Sequence, residues 1–396
     1  MGAEEVTATA AVVWDESFLG YDLGGDHPLN PVRLDLTVRL ATSLGVLDGV
    51  EALAPRPATD TEIERVHEPS YLSAVQAAPM AAWDVGHGLG TADNPVFERM
   101  HEASALVVGG SLAAARRIAS GEVKRAVNIA GGLHHAMRDH AAGFCVYNDC
   151  AVAISWLLDN GFDRIAYIDS DVHHGDGVQD AFYDDPRVLT VSLHQNPLSL
   201  WPGTGRPSEL GGPGAEGTAV NIALPPGTRD PGWLRAFHAT VPALLRSFRP
   251  QILVTQCGVD THREDPLADL ALSVDGHRAI YRTFRDLAEE ITGGHWLALG
   301  GGGYELVRVV PRSWTHLLAT VLDRDVDPAT PLPADWVADT ARRAPNWPLP
   351  TTMSDDADVA FEPWGGDADT PLDAAVRETR RAVFPLHGLD PDDPRD

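Results

Sequence analysis

The sequence predicts an α/β fold with a mainly parallel sheet, from the apolar runs, the spacing between them and the absence of a linker. Seven short runs are almost continuously apolar rather than alternating. Continuous runs mark strands buried on both faces, as in a parallel sheet covered by helices. Segments of helical spacing separate most of them, which is the signature of strand–helix alternation. No clear linker divides residues 10–320 and they show no internal repeat, so they read as one domain.

In chain order the strands are Ala10–Trp14, Ala126–Ala130, Ile165–Asp169, Val188–Leu193, Val220–Leu224, Ile252–Cys257 and Trp296–Gly300. The candidate helices are Val96–Ala119, Cys150–Asn160, Gly232–Ser247 and Val274–Thr292. The main domain is placed at residues 10–322. Residues 323–396 turn rich in Pro, Asp and Ala and read as a wrapping extension with one helix near Leu372–Val383.

Composition narrows the function. The formal charge of −27 would repel phosphate, which argues against general binding to nucleic acid or anionic membranes. No run approaches the ~18 apolar residues of a membrane helix. The N-terminus has no basic segment ahead of a hydrophobic one, and Val6 occupies the position where a myristoylation motif has Ser or Thr. Three cysteines without a CxxC pair predict a reduced, cytoplasmic protein whose metal sites are built from His and carboxylates.

In an open parallel sheet, ligands bind beyond the carboxyl ends of the strands. There the run Ile165–Asp176 presents Asp169, Asp171, His173, His174 and Asp176. Asp171 and His173 alternate along an extended chain and so share a face. The strand Ile252–Cys257 leads into Asp260, a further carboxylate. One imidazole with two carboxylates leaves a zinc ion an open position for catalysis. A lone Asp-x-His could merely cap a helix, but five ionisable groups crowded at one apolar strand end are costly without a metal. The strand Ala126–Ala130 leads into Gly131-Gly-Leu-His134-His135, whose two imidazoles suit acid–base work beside the spare carboxylates. After the last strand, Gly300–Gly303 permit close backbone approach and place the Tyr304 hydroxyl in a pocket.

With these residues assembled, the chain resembles the zinc-dependent histone deacetylase family of the arginase/deacetylase superfamily, nearest to the bacterial acetoin-utilization deacetylases. The matching segments are Asp26–Arg33, Asp93–Phe97, Gly131–His135, Gly143–Asp149, Asp169–Gly177, Ser192–His194, Trp201–Gly205, Gly258–Asp260 and Gly300–Tyr304. The resemblance implies a single-domain arginase/deacetylase fold with an eight-stranded, mainly parallel sheet. It implies zinc, or iron(II) in the cell, on Asp171, His173 and Asp260. It pairs His134 with Asp169 and His135 with Asp176, and makes Tyr304 the polariser of the substrate carbonyl. Potassium would sit among Asp169, Asp171, Ser192 and the carbonyls of His173 and Leu193. Gly143, Phe144, Trp201 and Leu267 would line the acyl-lysine tunnel, Asp93 its rim, and Arg33 an inner acetate channel.

The implied reaction removes acetyl groups from protein lysines, with an acetyl-CoA synthetase-like enzyme as one substrate. Acetylpolyamine hydrolysis is the alternative, since those relatives keep the same catalytic set. Leu267, where some of them carry an acid, and the short segment before Asp93 favour a peptide. A silent acyl-lysine-binding scaffold would have lost a ligand, a histidine or the tyrosine, and none is missing. Two-manganese arginase chemistry would need carboxylates at Gly175 and Gly258.

Overall fold

The computed structural model describes residues 9–81, 84–366 and 369–396. All seven apolar runs become strands: β1 (Ala10–Val12), β2 (Arg125–Asn128), β3 (Ile165–Asp169), β4 (Val188–Gln195), β5 (Ala219–Leu224), β6 (Ile252–Gln256) and β7 (Trp296–Leu299). They form one sheet in the order β1-β2-β7-β6-β3-β4-β5, and every pairing is parallel. Side chains of β2 through β7 are buried throughout, because helices cover both faces.

The expected eighth strand is absent among the described residues. Beside β1 the chain makes only an isolated parallel bridge, Val13 with Leu53. Pro55 and Pro57 follow and have no N–H to extend a ladder.

One helical layer contains Met100–Ala119 and Asp149–Asp159, packed on each other and against the centre of the sheet. Another contains Val32–Ser43, Val274–Thr292 and Val310–Val321. Val274–Thr292 has the predicted bounds, and its ends explain them. The Ser273 side chain accepts from the Gly276 N–H, and Gly293 closes the helix at φ +67°. The predicted helix Gly232–Ser247 is instead two, Asp230–His238 and Val241–Phe248. Pro242 lies in the first turn of the second, where its missing N–H costs nothing, but a continuous helix would need that donor. The helix predicted from Val96 starts at Met100, after Arg99 in a left-handed conformation.

Residues beyond 322 carry more structure than the single expected helix. Pro371–Val383 is helical, and so is Ala334–Arg343. The latter docks through Trp336, buried at 2 % exposure, whose Nε1 donates to Leu36 O. Among the described residues no helix is long and apolar enough to cross a membrane.

Candidate active site

Four adjacent strands, β2, β7, β6 and β3, deliver the candidate residues from their carboxyl ends. Asp171, His173 and Asp260 converge so that one potential ligand atom from each lies within 4.8 Å of the others. His173 Nδ1 is 3.2 Å from both Asp171 Oδ1 and Asp260 Oδ2. Bonds of ~2.0–2.2 Å to a tetrahedral zinc place its ligands about 3.4 Å apart, close to this spacing. Backbone donors steer both carboxylates: Gly302 N–H to Asp171 Oδ2 and Val172 N–H to Asp260 Oδ1.

Both His–Asp pairs form as expected. His134 Nδ1 is 2.7 Å from Asp169 Oδ2, and His135 Nδ1 is 2.7 Å from Asp176 Oδ1. Their rings are 3.9 Å apart, centre to centre. Burial disfavours the charged form of His134, yet Asp169 and Asp171 outweigh it and raise the pKa to about 9. Burial and then the neighbouring His134 charge lower His135 to about 4. The environment thus separates one charged imidazole from one neutral one.

Aromatic rings wall the approach. Trp201 is 4.6 Å from the His135 ring and 6.2 Å from that of His173, while 46 % of it remains exposed. Phe144 meets Tyr304 edge-on at 5.6 Å. Gly143 has φ +52°, and a Cβ there would come within 2.5 Å of His135 and 2.7 Å of Trp201. At the rim His27 packs edge-on against Phe144 and its Nε2 reaches the Asp93 carbonyl, so Asp93 sits at the mouth. Leu267 is half-buried, two residues beyond Asp265, whose carboxylate accepts from the N–H groups of Leu267 and Tyr304. Burial holds the Tyr304 hydroxyl well above its ordinary pKa, keeping it protonated.

Arg33 is buried beneath this floor. Its Nη1 donates to the carbonyls of Gly301 and Gly303, and its guanidinium lies over Trp314. A cavity of about 20 Å³ beside Arg33 shares Leu29 and Leu133 with one of about 10 Å³ next to His135 and Tyr304. Each is roughly water-sized. Ser192, expected near a potassium ion, is the register partner of Asp169.

This arrangement matches known proteins. The histone deacetylase domain family matches residues 27–321. The acetoin utilization protein AcuC of Bacillus subtilis is 39 % identical over 351 residues, covering 88 % of this chain and 90 % of that protein. AcuC of Staphylococcus xylosus is 36 % identical over 358 residues, 89 % and 92 % of the two chains. A crystal structure of an HDAC homolog complexed with SAHA superposes with a TM-score of 0.82 at 28 % identity, covering 94 % of this chain and 99 % of that one. The chain belongs to the histone deacetylase family.

Its membership implies a deacetylase-type hydrolase with a catalytic metal, and the residues present fit a single divalent ion. A nitrogen with two carboxylates is the right donor set. Asp171 and Asp260 are 1 % and 0 % exposed, a burial that carboxylates rarely tolerate without a cation. The glycines at the two further arginase positions leave no room for a second set of ligands. A Cβ on Gly175 would lie 2.2 Å from Asp169 Oδ2, and one on Gly258 would lie 2.2 Å from Asp171 Oδ2.

Further residues brace this histone deacetylase-family site, of which Gln256 and Tyr167 carry no motif of their own in the sequence. Gln256 donates to Asp171 Oδ2 at 2.7 Å and accepts from the Gly258 N–H. The Tyr167 hydroxyl donates to Asp169 Oδ2. Asn148 and Asp149 clasp the paired-histidine loop. Asp149 accepts from the N–H groups of Gly132 and Leu133, and the Asn148 amide donates to the carbonyls of His134 and Ala136. Both lie in the matching segment Gly143–Asp149, and the Asn148 side chain also accepts from Ala151 N–H as a helix cap.

Proposed function

We propose that this chain removes acetyl groups from acetyl-lysine side chains of proteins, releasing acetate and free lysine. The observation that carries this reading is the convergence of the Asp171–His173–Asp260 triad, both His–Asp pairs and Tyr304 at one rim of the sheet. Asp171, His173 and Asp260 would hold zinc, or iron(II), which when bound would supply Lewis acidity and lower the pKa of water towards ~7. Asp176 at Nδ1 fixes the His135 tautomer and leaves its Nε2 lone pair free to take the water proton. His134, whose Nδ1 is 2.7 Å from Asp169 Oδ2, is placed to stabilise negative charge as it develops on the carbonyl. The protonated Tyr304 hydroxyl donates to the same oxygen. His135 then returns its proton to the leaving amine. Phe144 and Trp201 flank the lysine methylenes, and Asp93 at the mouth holds the substrate backbone. Potassium at Asp169, Asp171 and Ser192, with the carbonyls of His173 and Leu193, would stabilise the carboxylate side of the site.

Two observations favour a peptide substrate over a polyamine. Leu267 presents an apolar side chain, and the nearby Glu264 is already bound by Arg308 at 2.7 and 3.0 Å. Three buried, unpaired cysteines accord with a reducing cytoplasm and an intracellular protein substrate such as an acetyl-CoA synthetase.

The test compares rates on an acetyl-lysine peptide with those on acetylputrescine and acetylspermidine. The peptide is expected to win in kcat/KM. A polyamine advantage above about tenfold, ~1.4 kcal/mol of transition-state preference, would reverse the substrate choice. His135→Ala and Tyr304→Phe are each expected to lower kcat by about 10²–10³. Unchanged turnover in both would end the proposed roles.

A further inference from the structure

The metal carboxylate Asp260 opens a tight loop, 260–265, that also contains Asp265, the acceptor for the Tyr304 N–H. Two candidate functional groups therefore depend on the position of one loop. Two buried imidazoles support it from behind. His277 Nε2 contacts Thr261 Oγ1 at 2.8 Å, and its Nδ1 reaches Ser313 Oγ at 2.9 Å. His262 is 0 % exposed. Its Nδ1 accepts from the Glu264 N–H, so its proton is on Nε2, which donates to Asp355 Oδ2 at 2.7 Å.

Asp355 lies outside residues 27–321, in the segment that returns across the domain after helix Ala334–Arg343. It is gripped on every side. Arg312 Nη2 donates to Oδ1 at 2.8 Å and the Val274 N–H donates to Oδ2 at 3.0 Å, while Asp275 accepts from the Asp355 and Ala357 N–H groups. Met353 beside it is fully buried, and its carbonyl contacts His316 Nε2. The segment is thus anchored independently of His262, so that Asp355 is a fixed point against which the loop is set. A flexible surface pairing could not serve this purpose, because holding two mobile side chains together costs entropy.

We propose that Asp355 is a positioning residue of the metal centre: acting through His262, it sets the 260–265 loop and with it both Asp260 and the Tyr304 backbone. The inference rests on the function proposed above, in that the same triad is taken to hold the metal.

The experiment uses the full chain and compares Asp355→Ala, Asp355→Asn, His262→Phe, the double variant and Ser354→Ala. Ser354→Ala loosens the same segment, since its hydroxyl donates to Asp275 Oδ1, but it does not touch His262. The readouts are zinc affinity by chelator competition, kcat and KM on an acetyl-lysine peptide, and thermal denaturation. Partners of metal ligands typically contribute 10–100-fold in affinity, so Asp355→Ala and His262→Phe should each weaken zinc binding by about tenfold and lower kcat more than they raise KM. The double variant should lose little more than either single one, as expected for groups acting in series. Asp355→Asn can still accept from His262 and should retain most of the affinity. Ser354→Ala should lower the melting temperature alone.

Wild-type affinity and kcat in Asp355→Ala, with a drop only in melting temperature, would overturn the proposal. So would equal losses in Ser354→Ala. If Asp355→Ala does not fold, Asp355→Ser, whose hydroxyl is too short to reach His262, takes its place: losses that add to those of His262→Phe overturn the proposal, and a double variant little worse than His262→Phe supports it. A wild-type protein that binds zinc at the triad but cleaves no acetyl-lysine contradicts the proposed substrate, and the affinity comparison still decides the role of Asp355.

Discussion

At Gly143 a single missing methyl group keeps the site open. The backbone is left-handed there, and an added Cβ would collide with both His135 and Trp201. Gly143→Ala is therefore expected to lower kcat/KM by at least about tenfold, because a misplacement near 1 Å at the reacting groups is costly. Gly161 provides the control. It also has a positive φ, +100°, but nothing lies within 4 Å of its would-be Cβ. Gly161→Ala should lose stability, by about 1 kcal/mol, and leave turnover unchanged. Equal kinetic losses in the two variants would show that backbone strain rather than contact explains Gly143. At this scale the ionisable residues were legible in the sequence because Asp171, His173, His134, His135 and Tyr304 lie at strand ends. Gln256 and Tyr167 were not. Gln256 meets Asp171 across 85 positions of chain, and only register brings β6 beside β3.

The helix Asp149–Asp159 illustrates how one element serves both stability and chemistry. Asn148 caps its first turn and simultaneously holds the carbonyls of His134 and Ala136. Its own N–H donates to His67 Nε2, in a ring whose Nδ1 is 2.8 Å from Met137 O. Asn148→Ala removes the cap, worth about 1 kcal/mol, and strands two buried carbonyls. A destabilisation on the order of 3 kcal/mol is expected in urea unfolding, together with loss of turnover under conditions where the variant remains folded. Full activity in a folded Asn148→Ala protein would dissociate the clasp from the chemistry. The element pattern itself was largely readable, because burial on two faces forces continuous apolar runs. The split at Ala239–Thr240 and the helix Ala334–Arg343 escaped that logic. In the first, Pro242 interrupts an otherwise helical pattern. In the second, only Trp336 and Thr340 are fully buried, so little apolar periodicity marks the helix.

Across the whole molecule, acid sensitivity follows from imidazoles buried in neutral form. Burial lowers His67 and His316 to about 4 each, against ~6.5 in an unfolded chain. Below pH ~6.5 the unfolded chain takes up protons that the folded one refuses. The stability these two imidazoles contribute is therefore complete above that pH and declines as pH falls towards 4. Denaturant midpoints measured at pH 7, 5.5 and 4.5 should fall in that order. His316→Gln, which keeps a donor for Met353 O, should show a shallower decline, and an unaltered slope would refute the assignment.

The sequence alone determined the seven strands and the order of the motifs, and it placed the candidate metal and acid–base residues at strand ends, because a buried parallel sheet dictates apolar runs and concentrates polar chemistry at their carboxyl ends. The family's eighth strand had no run to support it, and none forms among the described residues. Tertiary structure alone decided how Gln256 braces the site, and that Asp355 reaches His262 across 93 positions of chain. Those are contacts between residues remote in sequence, set by register and packing, and local pattern contains no term for either.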